Sequence, residues 1–225
     1  MFESIKLSEL DRTNCGILRK ATSTRPYVWQ IEESQVRAVV KDFSRNGFFY
    51  RNIVGRFLVW RESKAYKRLE EVKNVPTLYR TIGGIALVLE AIDGKDMGNR
   101  AAKNMEFSEN FFHEIREIVK EVHRHGVVHC DLKAAPNTLV DNEGHPHIID
   151  WAACMCYEEF RIFPLNLIYK RFIKDDLLSI LKLQLKRAPG TVSQEDADML
   201  HTRSRTERII RAIRNTLRVF LQRIA

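Results

Sequence analysis

The chain has 225 residues, of which 44% are hydrophobic and 29% charged, and its formal net charge is +8. This length and apolar content suit one large domain or two small lobes and exclude a disordered, fibrous or disulfide-scaffold protein. The four scattered cysteines, the absence of a secretory layout at the first residues and the lack of an apolar run of roughly 18 residues predict a cytoplasmic location. The positive charge predicts an anionic partner, such as nucleotide phosphate, nucleic acid or an acidic membrane surface.

The first half of the chain predicts strands and one helix. Residues 16–43 form short segments rich in β-branched and aromatic residues, which predict an antiparallel meander. Residues 52–72 have helical spacing, and a further strand is expected at 85–92 before the turn signal Asp93-Gly94. The apolar residues that share one face of the predicted helix are Val54, Leu58, Ala65 and Leu69.

The second half predicts mainly helices. A helix is expected behind the N-cap Ser108 and before Gly126, followed by two short strands at 138–140 and 147–149. From Phe163 onward helices are interrupted at 188–190. We therefore predict a β-rich first lobe at about 14–92, a helical second lobe at about 93–190 and a tail at 191–225.

The most informative stretch is VVHCDLKAAPNTLVDNEGHPHIIDWA, residues 127–152. An apolar strand leads to a loop with His129, Asp131 and Lys133; Asn137 closes the loop and Asp150 ends the next hairpin. Taken singly, Asp131 would be interpreted as a turn cap and Asp150 as a strand end. Their combination around one hairpin favours a catalytic loop.

This pattern resembles the protein-kinase-like superfamily, whose catalytic loop reads H-R-D-L-x-x-x-N and precedes a metal-binding aspartate. The resemblance implies an α+β, two-lobed fold, with a small antiparallel β N-lobe and a reduced helical C-lobe, that transfers the γ-phosphate of ATP to a hydroxyl. Phosphoryl transfer depends on positioning and charge neutralisation. In that family pattern Asp131 would orient the acceptor, Lys133 would steady the γ-phosphate, and Asn137 and Asp150 would bind Mg²⁺.

The family also requires a lysine on a strand and a glutamate on the following helix. Lys41 ends an apolar strand, and Glu62 lies on an apolar helix face, where an unpaired charge is costly. The resemblance implies that Lys41 holds the α- and β-phosphates, that Glu62 fixes Lys41, and that Glu90 and Ala91 meet adenine. The alternatives are an exposed strand end at Lys41 and a solvated helix pair of Glu62 with Lys64.

A helix aspartate, Asp175 or Asp176, would support the catalytic loop in this family pattern.

The sequence departs from the pattern in three places. Asp131 and Asn137 are six positions apart instead of five, so residues 134–136 must bulge. Cys130 replaces the arginine that pairs with a phosphorylated activation loop, so control by that loop is not expected.

The third departure is the lack of G-x-G-x-x-G before the strand lysine. The corresponding turn is residues 22–26, TSTRP, whose N–H and hydroxyl groups could meet phosphate. An ordinary hairpin turn is the alternative. A strict glycine-loop kinase is therefore excluded, and an atypical kinase is not.

The short chain and the D-W-A triplet resemble small bacterial lipopolysaccharide-core (Kdo/heptose) kinases and RIO-type atypical Ser/Thr kinases. The first resemblance implies a sugar acceptor at the cytoplasmic membrane face, and the second a protein hydroxyl.

A non-catalytic pseudokinase stays open as an alternative, and specific nucleic-acid binding is not expected. A zinc site is a further alternative with no standard finger spacing; its candidate ligands are His123, His125, His129, Cys130, Cys154 and Cys156.

The tail predicts a basic amphipathic helix, because apolar residues recur at +3, +4, +3 and +4 from Ile210 to Ile224 with arginines between them. One interpretation packs its apolar side on the helical lobe. The other docks it on an anionic membrane and would place the protein peripherally at the inner face.

Overall fold

The computed structural model describes residues 2–10, 15–98 and 105–201, with side chains described as far as residue 198. It divides into two compact units. The first contains the described residues of Met1–Ser63 and Thr77–Ala91, and the second those of Lys64–Pro76 and Ile92–Thr202. Over this described part of the chain, no helix has the length and apolarity to cross a bilayer. The predicted tail helix lies outside the described residues.

The first unit is built on a five-stranded antiparallel sheet of order β1-β2-β3-β5-β4. Its strands are β1 Gly16–Arg19, β2 Tyr27–Glu33, β3 Val36–Asp42, β4 Leu78–Ile82 and β5 Ala86–Glu90. The β2–β3 hairpin turns at Ser34 and Gln35, both with positive φ, as a two-residue hairpin requires. The predicted meander is present, and the expected strand at 85–92 is shorter than predicted.

Alternation along the hairpin decides which side of the sheet is buried. Trp29 and Ile31 on β2 and Ala38 and Val40 on β3 enter one apolar core. Phe2 packs into the same core, so the first described residues are fixed against the sheet.

Helix α1, Arg56–Arg68, follows a π-helical segment, Tyr50–Gly55. The wider π turn changes the register of the face that was predicted from regular α-helical spacing. The buried positions of α1 therefore include Val59 and Glu62, whereas Val54 and Leu58 are only half-buried.

The second unit contains α2 Glu109–Arg124, α3 Leu165–Arg187 and α4 Gln194–His201. As predicted, Ser108 Oγ accepts a hydrogen bond from Phe111 N at 3.2 Å, and Gly126 follows the helix end with φ of +72°. The buried face of α2 carries Phe112 and Ile115.

The described residues of the second unit also include five short strands. A three-stranded sheet joins β6 Gly94–Asp96, β8 Thr138–Asp141 and β9 Pro146–Ile148, and β7 Val127–Val128 pairs with β10 Met155–Cys156. The sequence predicted a turn at Asp93-Gly94, and Gly94 is instead the first residue of β6. A Cβ at Gly94 would lie 2.3 Å from the Val140 carbonyl oxygen, so glycine here permits close strand pairing.

Candidate active site

Lys41, near the end of β3, forms an ion pair with Glu62 on α1. Lys41 Nζ lies 2.5 Å from Glu62 Oε1, and the two side chains are 13% and 2% exposed. A carboxylate buried to this extent is costly without a partner. The predicted pairing is therefore present. The alternative, a solvated pair of Glu62 with Lys64, does not fit the burial of Glu62, and Lys64 pairs with Glu159 at 3.1 Å.

The loop after β7 is organised around buried His129. Its Nδ1 accepts a hydrogen bond from Asp131 N at 3.3 Å, and its Nε2 lies 3.0 Å from the Ile149 carbonyl oxygen. Acceptance at Nδ1 places the proton on Nε2, which donates to Ile149. The imidazole packs against Trp151 with ring centroids 4.6 Å apart. His129 thus links the loop to the hairpin that ends at Asp150.

Asp176 on α3 anchors the same loop through its carboxylate. Its carboxylate accepts hydrogen bonds from His129 N at 2.7 Å and Cys130 N at 2.9 Å, and it contacts His123 Nε2 at 3.1 Å. Cys130 has φ of +67°, a conformation that costs free energy for a residue with a side chain. Of the two predicted helix aspartates, the structure selects Asp176, because Asp175 instead pairs with Arg171 at 3.0 Å.

The loop presents an acidic and a basic side chain to its surface. The Asp131 side chain is 38% exposed, and its Oδ1 lies 3.7 Å from Lys133 Nζ. The predicted bulge is a 3-10 turn, Ala135–Asn137. Buried Asn137 donates from Nδ2 to the Asp131 carbonyl at 3.1 Å. With its nitrogen engaged in this way, Asn137 has an amide oxygen with which to serve as a ligand.

Asp150 follows β9 in a left-handed conformation, with φ of +68° and ψ of +70°. Such backbone strain in a residue with a side chain persists only where its surroundings fix it, and it concentrates at functional sites. A hydrogen bond of 3.0 Å from Ile149 N to the Asn137 carbonyl ties this position to the loop. Asn137 and Asp150 therefore belong to one connected backbone framework.

Residues 38–161, more than half of the chain, match a family model described as the protein kinase domain. The chain belongs to this protein kinase family. The fold class and the superfamily predicted from the catalytic-loop pattern are thus confirmed. All eight predicted site residues lie within the matched range; they are Lys41, Glu62, Glu90, Ala91, Asp131, Lys133, Asn137 and Asp150.

The kinase has a turn at residues 22–25 in the place of a glycine-rich loop. Asn46 Nδ2 donates to the carbonyls of Thr22 at 2.7 Å and Arg25 at 3.1 Å, and the Tyr50 hydroxyl donates to the Thr24 carbonyl at 2.8 Å. Burial raises the pKa of Tyr50, so its phenol remains a donor. The carbonyl oxygens of Thr22, Thr24 and Arg25 are thereby engaged within the protein.

Sequence reasoning missed Asn46 and Tyr50. Asn46 follows Ser44 and Arg45 and precedes a glycine, which reads as an ordinary loop. No pattern in the sequence connects it to a turn more than twenty positions earlier.

The predicted adenine-contacting residues of the kinase already use their peptide N–H groups. Glu90 N donates to the Thr77 carbonyl at 2.8 Å, and Ala91 N donates to the Arg37 carbonyl at 3.3 Å. The Glu90 carboxylate in turn accepts from Thr77 N at 3.0 Å. Contacts of these two residues with adenine would therefore involve their carbonyl groups, which accept hydrogen bonds.

The two predicted metal ligands both offer oxygen atoms, which suit Mg²⁺. Asp150 offers a carboxylate and Asn137 an amide oxygen, and Mg²⁺ prefers oxygen ligands and is commonly shared with substrate phosphates. In the parts of the chain that the structure describes, no three His, Cys, Asp or Glu side chains gather into a metal-binding group. A site with two protein ligands and phosphate oxygens is the arrangement that these residues fit.

Proposed function

We propose that this kinase transfers the γ-phosphate of ATP, with Mg²⁺, to a hydroxyl of a sugar in the lipopolysaccharide core. Membership of the protein kinase family supports phosphotransfer. The observation that carries an active enzyme, as opposed to a pseudokinase, is the paired Lys41 and Glu62 in one unit together with the Asp176-supported loop in the other. A scaffold needs neither the buried ion pair nor the strained loop.

Lys41 would hold the phosphates of ATP. Its ammonium group is restricted by Glu62, and a positioned charge loses less entropy on binding phosphate than a mobile one. The turn at 22–25 would meet phosphate through N–H and hydroxyl groups, since its engaged carbonyls would otherwise repel the anion.

Asp131 would orient the acceptor hydroxyl and take its proton, because it is an accessible carboxylate at the surface of a fixed loop. Lys133, 3.7 Å from Asp131, would steady the transferred phosphoryl group. Bound Mg²⁺ would neutralise phosphate charge during transfer. Asn137 and Asp150 would hold that ion through their oxygen atoms.

The sugar acceptor is supported by the short segment between the hairpin and α3. Only residues 151–164 separate Asp150 from α3. An extended polypeptide acceptor needs a larger surface than a sugar does. We accordingly place the enzyme in the cytoplasm, peripheral to the inner face of the membrane, where a lipid-linked sugar is accessible.

A protein hydroxyl is the second candidate acceptor. Lys133 lies beside Asp131 and follows it by two residues. A lysine at this position is typical of Ser/Thr kinases and favours a RIO-like activity.

In the test, the protein is incubated with radiolabelled ATP and Mg²⁺ and with one of two acceptors. These are a lipopolysaccharide core lacking phosphate and a generic protein substrate. We expect label in the sugar, and its loss in Asp131→Asn. The matched control is Asp198→Asn, an exposed aspartate on α4. Label in protein alone would move the acceptor to the RIO-like alternative. ATP binding without any transfer would identify a pseudokinase and overturn the proposal.

A further inference from the structure

The first unit exposes a row of large apolar side chains on one face of a continuous helical segment, residues 48–68. We call this the aromatic face and define it by Phe49, Ile53, Phe57 and Trp60, which follow one another at +4, +4 and +3. Their exposed fractions are 65%, 64%, 49% and 54%. Neighbouring Phe48 packs edge-on against Phe49 and extends the row. Contiguous exposed apolar side chains of this kind mark an interaction surface.

Along residues 48–61, which carry the aromatic face, the charged side chains all have one sign. Residues 48–61 contain Arg51, Arg56 and Arg61 and no aspartate or glutamate. The next residue, Glu62, is buried and paired with Lys41, so it does not offset them at the surface.

Two of these arginines lie beside aromatic side chains. The Arg51 guanidinium lies 5.7 Å from the Phe48 ring centroid, and that of Arg61 lies 5.8 Å from the Phe57 ring centroid. The aromatic face therefore combines exposed aromatic side chains with arginines at its edge.

We propose that the aromatic face docks the kinase on an anionic membrane surface. Phe and Trp side chains on an amphipathic helix bury at the boundary between headgroups and acyl chains. Arginines at the rim are attracted to anionic headgroups. The charge complementarity identifies the occupant, because the face matches a negative, apolar-cored surface in both respects.

Charge also argues against two other occupants. A second copy of the chain would bring the same three arginines against each other. The tail of this chain is itself arginine-rich and would repel the face; its arginines are Arg203, Arg205, Arg208, Arg211, Arg214, Arg218 and Arg223.

The experiment measures sedimentation of the full-length protein with vesicles, without ATP or any acceptor, so its outcome is independent of the proposed reaction. Phosphatidylcholine vesicles are compared with vesicles containing phosphatidylglycerol. We expect binding only to the anionic vesicles, weakened by salt. The paired variant Phe49→Ser/Phe57→Ser should weaken it by about 10-fold to 100-fold. Arg56→Gln and Arg61→Gln should each weaken it about fivefold.

The matched control is Ile162→Ser/Phe163→Ser, which removes apolar side chains of the second unit that are more exposed than Phe49 and Phe57. It should bind within roughly twofold of the unsubstituted protein, and circular dichroism should show all variants folded. The proposal is overturned if the unsubstituted protein fails to bind anionic vesicles, or if the aromatic-face pair binds as well as the control. A concentration-dependent dimer abolished by Phe49→Ser/Phe57→Ser, without vesicle binding, would overturn it in favour of a self-association surface.

Discussion

Replacing Asp176 should release the catalytic loop from α3. This carboxylate is 1% exposed and accepts from the peptide N–H groups of His129 and Cys130 at 2.7 and 2.9 Å. Alanine would leave both buried donors without an acceptor, at about 1–3 kcal/mol each, so we expect the free energy of unfolding to fall by about 2–6 kcal/mol. That is a large share of the roughly 5–15 kcal/mol that stabilises a domain.

Asparagine is the more informative substitution, since it preserves volume. Its single amide oxygen can serve one of the two donors, and the other charge-assisted hydrogen bond is lost. We expect Asp176→Asn to lower the free energy of unfolding by about 1.5–3 kcal/mol. Because Cys130 keeps a left-handed conformation only while it is held, the turnover number should fall as well, with little change in the KM for ATP.

Urea unfolding followed by tryptophan fluorescence measures the first effect and steady-state phosphotransfer the second. The matched control is Asp175→Asn, the preceding residue on α3, whose helix pair with Arg171 spans 3.0 Å. Loss of such an i, i+4 pair lowers stability by about 0.3–0.5 kcal/mol. If Asp176→Asn has no larger effect than Asp175→Asn, Asp176 does not support the loop. If it destabilises the protein while the turnover number is unchanged, the loop does not position the reaction.

Lys41→Met and Asp150→Asn should each reduce phosphotransfer by about 10²–10³-fold, and near-normal turnover in either would refute its role. Lys41→Met should also lower the urea midpoint, because it removes Lys41 as a partner of the buried Glu62 carboxylate. Asn46→Ala removes the hydrogen bonds from its side chain to the turn at 22–25 and should raise the KM for ATP by about tenfold, as measured by steady-state kinetics. An unchanged KM for ATP would show that the turn at 22–25 does not contribute to nucleotide binding. Truncation after Arg203 should lower stability and leave vesicle sedimentation unchanged, because most amphipathic helices pack on their own domain. Lost vesicle binding would instead support a membrane-docking tail.

Features with a strong local signal could be predicted from the sequence. The β2–β3 hairpin could be predicted because its strands are rich in β-branched and aromatic residues and are separated by turn-forming polar residues. Glu62 could be assigned because a carboxylate within an apolar helix face requires a partner, and Lys41 supplies it. The catalytic loop could be placed because several chemically distinct residues recur at family spacing around one hairpin.

Features set by tertiary contacts could not be predicted. Strand β4, Leu78–Ile82, is an edge strand with no fully buried residue, so its sequence lacks a marked alternation. Strand β6 contains Gly94, which signals a turn locally but permits close pairing in the fold. The anchoring of the turn at 22–25 by Asn46 and Tyr50 depends on contacts between distant parts of the chain. Local propensity carries no information about such contacts.

The arrangement of the loop also indicates where control of this kinase can act. Cys130 occupies the position at which the family pattern has an arginine that pairs with a phosphorylated activation loop. The N–H group of Cys130 donates to Asp176. The pair of Lys41 and Glu62 is likewise formed from unmodified side chains. Both contacts are therefore present in the structure without a phosphorylated residue. Regulation would then act on access to the acceptor, and a basic aromatic face that binds membrane would provide it by setting where the enzyme works.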